Sequence, residues 1–283
     1  MINYRFAYAE GTTFTAVENA TPTSMYIADV NKLMLVVVNR FLIMTADQLS
    51  NYLVNTLHLE GMNAAGIEKQ LQLMTRANFL TEYDFRNSGA QLMYAAYGLG
   101  YRGRGLLKAM NEAPRMTGFI VQLDACLSLK LLASNQYLIE NHVPIKTLQV
   151  AKTILAQGKN IEKTHLIARP QGMIQVEGET RLLESVRRSD NYLEQLQEKL
   201  SRLQLLLDRK DLNIQISDPS VTMICEDEEM LAEVQKCLSG KKYCFNVYGI
   251  TDKTLTSNKP AIIARATEKH LWEILRGKLL HVA

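Results

Sequence analysis

Two groups of side chains in this sequence have types and spacing that suit work on nucleic acid. The first lies in NAAGIEKQLQLMTRANF, residues 63–79, where Lys69, Gln70, Gln72 and Arg76 share one side if the segment is helical. Lysine and arginine meet phosphates, and Gln and Arg also form paired hydrogen bonds with base edges in the major groove. A solvated polar face, which any amphipathic helix has, explains the same pattern. Arg102 and Arg104 lie in a second stretch, YAAYGLGYRGRGLL, and with Arg86 they flank a hairpin expected there. Arginine suits a narrow minor groove, and glycine lets backbone approach a phosphate chain closely.

The second group is a run of acids and arginines: Glu177, Glu179, Arg181, Glu184, Arg187, Arg188 and Asp190. Converging carboxylates hold Mg²⁺ beside a scissile phosphate, commonly with a lysine that helps to activate water. Turns and helix starts are also ordinary places for acids. Arg181, Arg187 and Arg188 suit phosphate, or pairing with Glu184 and Asp190. Other catalytic signatures are missing. The histidines, His58, His142, His165, His270 and His281, never fall at metal-ligand spacing. The glycine-rich GLGYRGRG lacks the Lys-Ser/Thr step of a nucleotide loop, and no serine or cysteine nucleophile motif occurs. No metal or cofactor is expected.

These residues need elements to hold them. Residues 1 to about 24 read as a loose or strand-like arm. Val30, Leu33, Val37, Phe41 and Met44 recur on a helical period over residues 27–44. Thr45 is a good N-cap for a second helix to about Leu57, and a third begins near Asn63. Residues 79–83 and 91–98 alternate around Asn87-Ser88-Gly89, which predicts a hairpin, with a helix from about Tyr101. Three helices, a hairpin and another helix is the order of a winged helix-turn-helix domain. Residues 116–157 read as helical, with Phe119, Leu123, Leu127, Leu131 and Leu132 as an apolar stripe and a new segment after Pro144. That stripe suits a dimer contact or packing within its own chain. Beyond it, strands are expected at residues 165–168, 173–177, 181–187, 221–225, 243–248 and 261–265. Helices are expected at 191–208, 227–238 and 270–279. A mixed sheet carrying helices, an α/β domain, accounts for this order.

Composition sets wide limits. The chain has 283 residues, enough for two domains, and 47% of them are hydrophobic, as in ordinary globular proteins. The net charge of +3 permits a nucleic-acid partner but does not demand one. Cys126, Cys225, Cys237 and Cys244 show no disulfide rhythm, and no apolar run is long enough to span a bilayer. A cytoplasmic setting with free thiols and no membrane is expected.

The first half resembles the winged-helix part of the replication-relaxation and mobilisation proteins of plasmids and conjugative elements. There a line like Y-x-L-T-x-x-G leads out of the wing, and Tyr97-Gly98-Leu99-Gly100-Tyr101-Arg102-Gly103 is similar. The second half resembles the restriction-endonuclease-like domain of that family. Pro170-Gln171-Gly172 is similar to its Pro-Asp-Gly step. Glu184-Ser185-Val186-Arg187 is similar to its acidic strand, and Glu198-Lys199-Leu200 to the line on the helix that follows. The resemblance covers about residues 25–210. Gln171 stands where the family has aspartate, and Val186 stands where a further ligand or lysine belongs.

The resemblance therefore implies a degenerate nuclease-like site at Gln171, Glu184 and Arg187, kept for binding or assembly. The expected architecture is α+β: a winged helix-turn-helix domain over residues 25–115, a helical linker and possible dimer contact over 116–160, and an inactive nuclease-like α/β domain over 161–283. The expected function is sequence-specific binding of double-stranded DNA through Lys69, Gln70, Gln72, Arg76, Arg86, Arg102 and Arg104, without enzymatic activity. The family implies an accessory role in conjugative transfer or plasmid replication, in a relaxosome-type assembly with a relaxase or other transfer or replication proteins. Symmetric sites would imply a homodimer. The alternatives are a transcriptional regulator with the same winged helix, and a metal-dependent DNA nuclease.

Overall fold

A computed structural model describes residues 6–17, 23–60, 63–115, 124–151, 154–158, 164–168, 170–176, 178–208, 212–214, 216, 218–253 and 260–264. The fold is mixed α and β. It divides into two compact units, Ala7–Val150, and Met1–Phe6 with Ala151–Ala283. Among the described residues no helix is long and apolar enough to cross a membrane.

The first unit opens with strand β1 (Thr13–Ala16), helix α1 (Asp29–Phe41) and strand β2 (Ile43–Met44). Helix α2 (Ala46–Asn51) follows and continues as a π-helical turn, Tyr52–Thr56. Helix α3 (Ala64–Arg76), strands β3 (Leu80–Arg86) and β4 (Leu92–Leu99), and helix α4 (Tyr101–Ala109) complete this part. The expected cap at Thr45 is present, and Asn63 supplies another. The Thr45 hydroxyl accepts from Gln48 N at 3.2 Å, and Gln48 Oε1 accepts from Thr45 N in return. Asn63 Oδ1 accepts from Gly66 N at 2.9 Å and starts α3.

The sheet runs β1-β3-β4-β2, so the strand between α1 and α2 pairs with the returning arm of the hairpin. One face of the hairpin carries an aromatic ladder. Phe14 stacks on Tyr83 with ring centres 4.7 Å apart, and Phe85 joins Phe14 to Tyr94. Ile67, Leu71 and Met74 bury one side of α3, and Met34, Val37, Val38 and Phe41 bury the matching side of α1. Each such side chain contributes roughly 1.5–3 kcal/mol.

The linker expectation changes here. Helix α5 (Ala125–Glu140) belongs to the first unit and is buried nearly all round. Asn135 Nδ2 donates to the carbonyls of Phe41 and Ile43, and Gln48 Nε2 donates to Leu132 O. Leu131 and Leu132 are buried within their own unit, so they offer no dimer face. Phe119 and Leu123 of the expected stripe lie outside the described residues. The segment after Pro144 is not helical. It makes a turn and strand β5 (Gln149–Val150), and the second unit begins with strand β6 (Ile154–Gly158).

In the second unit β6 lies between β10 (Leu212–Ile214) and β7 (Thr164–Ala168). Strands β8 (Gly172–Val176) and β9 (Glu179–Ser185) form the expected hairpin, turning at Gly178 with φ 87°. Helix α6 (Tyr192–Leu207) then leads towards β11 (Pro219–Cys225), and helix α7 (Glu228–Leu238) leads to β12 (Val247–Thr251). Strands β9, β11 and β12 are parallel neighbours, and β13 (Ala261–Ala264) closes antiparallel on β12. Leu196, Leu200 and Leu203 of α6 and Met230, Val234 and Leu238 of α7 pack on Leu182, Val221, Met223 and Val247. The helix expected at 270–279 lies outside the described residues.

Candidate nucleic-acid interface

Helix α3 keeps Lys69, Gln72 and Arg76 exposed, together with Leu73. Gln70 is not among them. Its Oε1 accepts from Asn31 Nδ2 on α1 at 3.0 Å, so this amide holds two helices together. Asn31 is itself buried.

The hairpin differs from the cationic ribbon that was expected. Arg86 is folded onto its own strand, with Nη2 2.5 Å from Asp84 Oδ2 and Nη1 donating to Ala90 O at 3.1 Å. Asn87 Oδ1 accepts from the amides of Gly89 and Gln91, which closes the tip. Exposed apolar side chains, Leu92 and Met93, stand where β4 leaves that tip. Acids of α3 and of the hairpin lie within electrostatic reach of Tyr97. Burial pushes the Tyr97 phenol up to about 12, and Glu82, Glu68 and Asp84 push the same way. Burial also raises the Glu82 carboxyl, with help from Asp84.

Arg102 and Arg104 are not on the ribbon at all. They lie in the first turn of α4, at the hairpin's base. The tip is seven residues of β3 away, roughly 20 Å at strand rise. Arg102 Nη1 donates to Thr23 O at 3.1 Å and to Ala77 O at 3.2 Å, and Arg104 Nη1 donates to Leu99 O at 3.3 Å. Ala77 caps the carboxyl end of α3, where a cation is favoured by the helix dipole. These arginines tie backbone together at the base of the hairpin.

The glycines of GLGYRGRG serve the same junction. Gly100 N donates to Phe79 O and Arg102 N to Asn78 O. A Cβ on Gly100 would lie 2.5 Å from Asn78 O, and one on Gly103 would lie 2.1 Å from Phe79 O. They let α4 cross the end of α3 closely, rather than admit a phosphate chain.

In the second unit the nuclease-like residues do not converge. Gln171 Oε1 accepts from Ser185 N at 3.2 Å. Glu184 is paired with Lys199 of α6 at 2.5 Å. Arg187 is fully buried, and its Nη2 meets both oxygens of Asp252. Arg188 Nη2 meets Asp227 and Glu229, and its amide donates to Glu226 Oε1. Arg187 and Arg188 thus pair with acids that follow β11 and β12, and Arg181 pairs with Glu179 on its own strand. The sequence signal is short: Arg187-Arg188 comes one residue after β9, and Glu226-Asp227 follows β11 directly. Burial pushes the Cys225 thiol up to about 12, so it is no nucleophile at neutral pH. Among the described residues no group of three or more His, Cys, Asp and Glu side chains is placed to hold a metal ion.

Comparison of the chain with family models, with curated proteins and with solved structures finds no match.

Proposed function

We propose that the first unit is a winged helix-turn-helix and that the protein acts by binding double-stranded DNA. Helix α3 enters the major groove with Lys69, Gln72 and Arg76, and the tip of the β3–β4 hairpin lies against the neighbouring minor groove. One observation carries the reading. The order α1-β2-α2-α3-β3-β4, with β2 paired to β4, leaves the Lys69, Gln72 and Arg76 side of α3 exposed beside a hairpin. At the tip the contact is apolar: Leu92 and Met93 suit a wedge against sugars and base steps better than Arg86, which is already paired.

The second unit is proposed to be a nuclease-like fold without nuclease chemistry, used for assembly. The resemblance to replication-relaxation and mobilisation proteins points to an accessory role at an origin of transfer or replication. The test is recovery of the fragments that the protein retains from sheared element and host DNA. Enrichment of an origin supports the reading, and enrichment of promoters replaces the role with transcriptional regulation. Absence of enrichment and of duplex binding at low salt overturns it. Supercoiled plasmid incubated with Mg²⁺ or Mn²⁺ should stay intact; cleavage that Glu184→Ala abolishes would make the protein a nuclease.

A further inference from the structure

Two tyrosines stand out among the described ones. Tyr52, Tyr97, Tyr137, Tyr243 and Tyr248 are buried, whereas Tyr26 is 88% exposed and Tyr101 is 75% exposed. They are distant in sequence, but hydrogen bonds tie the segments that carry them to the end of α3. Arg102, next to Tyr101, donates to Thr23 O, and Thr23 N donates to Arg76 O. Tyr26 follows Thr23 by three residues, a reach of at most about 10 Å. Tyr26 also lies within electrostatic reach of Lys32.

The surface around them is cationic and open. On α4, Tyr101, Arg102, Gly105 and Lys108 are exposed, and a Cβ on Gly105 would meet nothing within 4 Å. The helix has no acid in its sequence, YRGRGLLKA. Arg76 adds its charge at the adjoining end of α3. The acceptors of Arg102 are backbone carbonyls and not carboxylates. Asp29 is the acid nearest in sequence to Tyr26, and it is paired with Lys32 at 2.8 Å.

Exposed flat rings among cations suit a polyanion whose own flat groups are free to stack. A duplex keeps its bases stacked inside and offers a side surface mainly phosphates. An unpaired strand offers both phosphates and base faces. We infer that Tyr26 and Tyr101, with Arg76, Arg102 and Lys108, form a binding platform for single-stranded nucleic acid. The platform is separate from the hairpin tip, shares only Arg76 with the duplex surface proposed for α3, and needs no duplex on that helix.

The test is fluorescence anisotropy of the full chain with a labelled oligothymidylate, which does not pair with itself, and with a random duplex. Wild type should bind the oligothymidylate in a salt-dependent way. Tyr26→Ala and Tyr101→Ala should each weaken that binding roughly ten-fold, with duplex affinity changed less than two-fold and thermal stability unchanged. Tyr101→Phe should bind as wild type, because the ring and not the hydroxyl is used. Lys69→Ala should show the opposite preference, losing duplex and keeping the single strand. No binding of oligothymidylate at low salt, wild-type binding by the alanine variants, or equal losses on both nucleic acids would overturn the platform. A failure of duplex binding alone would overturn the α3 reading and leave the platform standing.

Discussion

Arg187 and Asp252 form an ion pair with no exposed atom on either side chain: Nη2 lies 3.1 Å from Oδ1 and 3.0 Å from Oδ2. The same guanidinium donates to the carbonyls of Val186 and Ile224, so it joins the ends of three parallel strands. Removing one partner strands a buried charge. Asp252→Asn should destabilise the second unit by about 3–5 kcal/mol in chemical denaturation. A loss under 1 kcal/mol would mean that the pair is not closed in solution.

The pair also sets a pH dependence. Burial of Asp252 outweighs the opposing effect of Arg187 and raises the carboxyl from 3.8 to about 6. A carboxyl with a raised folded value favours the folded state most below its unfolded value. That contribution is lost as the pH rises through about 6, and it is flat above. The stability profile of wild type between pH 4 and pH 6 should therefore carry a downward component that Asp252→Asn removes. Identical slopes in the two proteins would count against it.

Two helical glycines on α4 should respond in opposite ways to alanine. Gly103→Ala drives a methyl to 2.1 Å from Phe79 O, which is backbone and has no room to yield. A loss of about 3 kcal/mol or more is expected. Gly105→Ala meets open space, so only helix propensity changes, and a gain of about 0.5–1 kcal/mol should appear as a higher Tm.

Arg102→Ala tests whether that arginine ties the fold together. Loss of its bonds to Thr23 O and Ala77 O should lower stability by about 1 kcal/mol. Arg102→Lys should restore little, because a single ammonium does not reproduce the fork. Unchanged melting of both variants would argue against this clamp.

Charge on the hairpin gives a further measurement. Glu82 lies within electrostatic reach of Tyr97, as does Glu68 of α3, the helix proposed to carry the duplex. Glu82→Gln should tighten duplex binding, most at low salt, whereas Lys69→Ala should weaken it and reduce the salt slope by about one. Glu82→Gln binding no tighter than wild type would detach the hairpin from the DNA surface.

The parts of the fold set by local rules were legible. Thr45, Asn63 and Asp227 cap helices where their short polar side chains stand before periodic apolar residues. The β8–β9 hairpin follows its glycine. What depends on distant partners was not legible. Arg187 reads as a surface phosphate ligand until Asp252, 65 residues on, closes over it. Gly100 and Gly103 read as a phosphate loop because flexible backbone and close packing use the same residue type. Residues 145–156 carry a helix-like pattern, but Thr147 Oγ1 turns back to Pro144 O and the chain leaves in two short strands. Gln70 lies on the expected face of α3, and only the position of Asn31 shows that it points to α1.

The amide of Asn135 grips the backbone on both sides of Leu42, which holds a left-handed φ of 75° at the join of α1 and β2. Arg115 adds a second brace, donating to Arg40 O and to Val150 O. A fragment cut at residue 115 keeps every helix and strand proposed for the DNA contact, yet loses both the grip and the anchor of the brace. The smallest piece to express for isolated study of that half therefore extends to residue 150, and shorter truncations should emerge as aggregates.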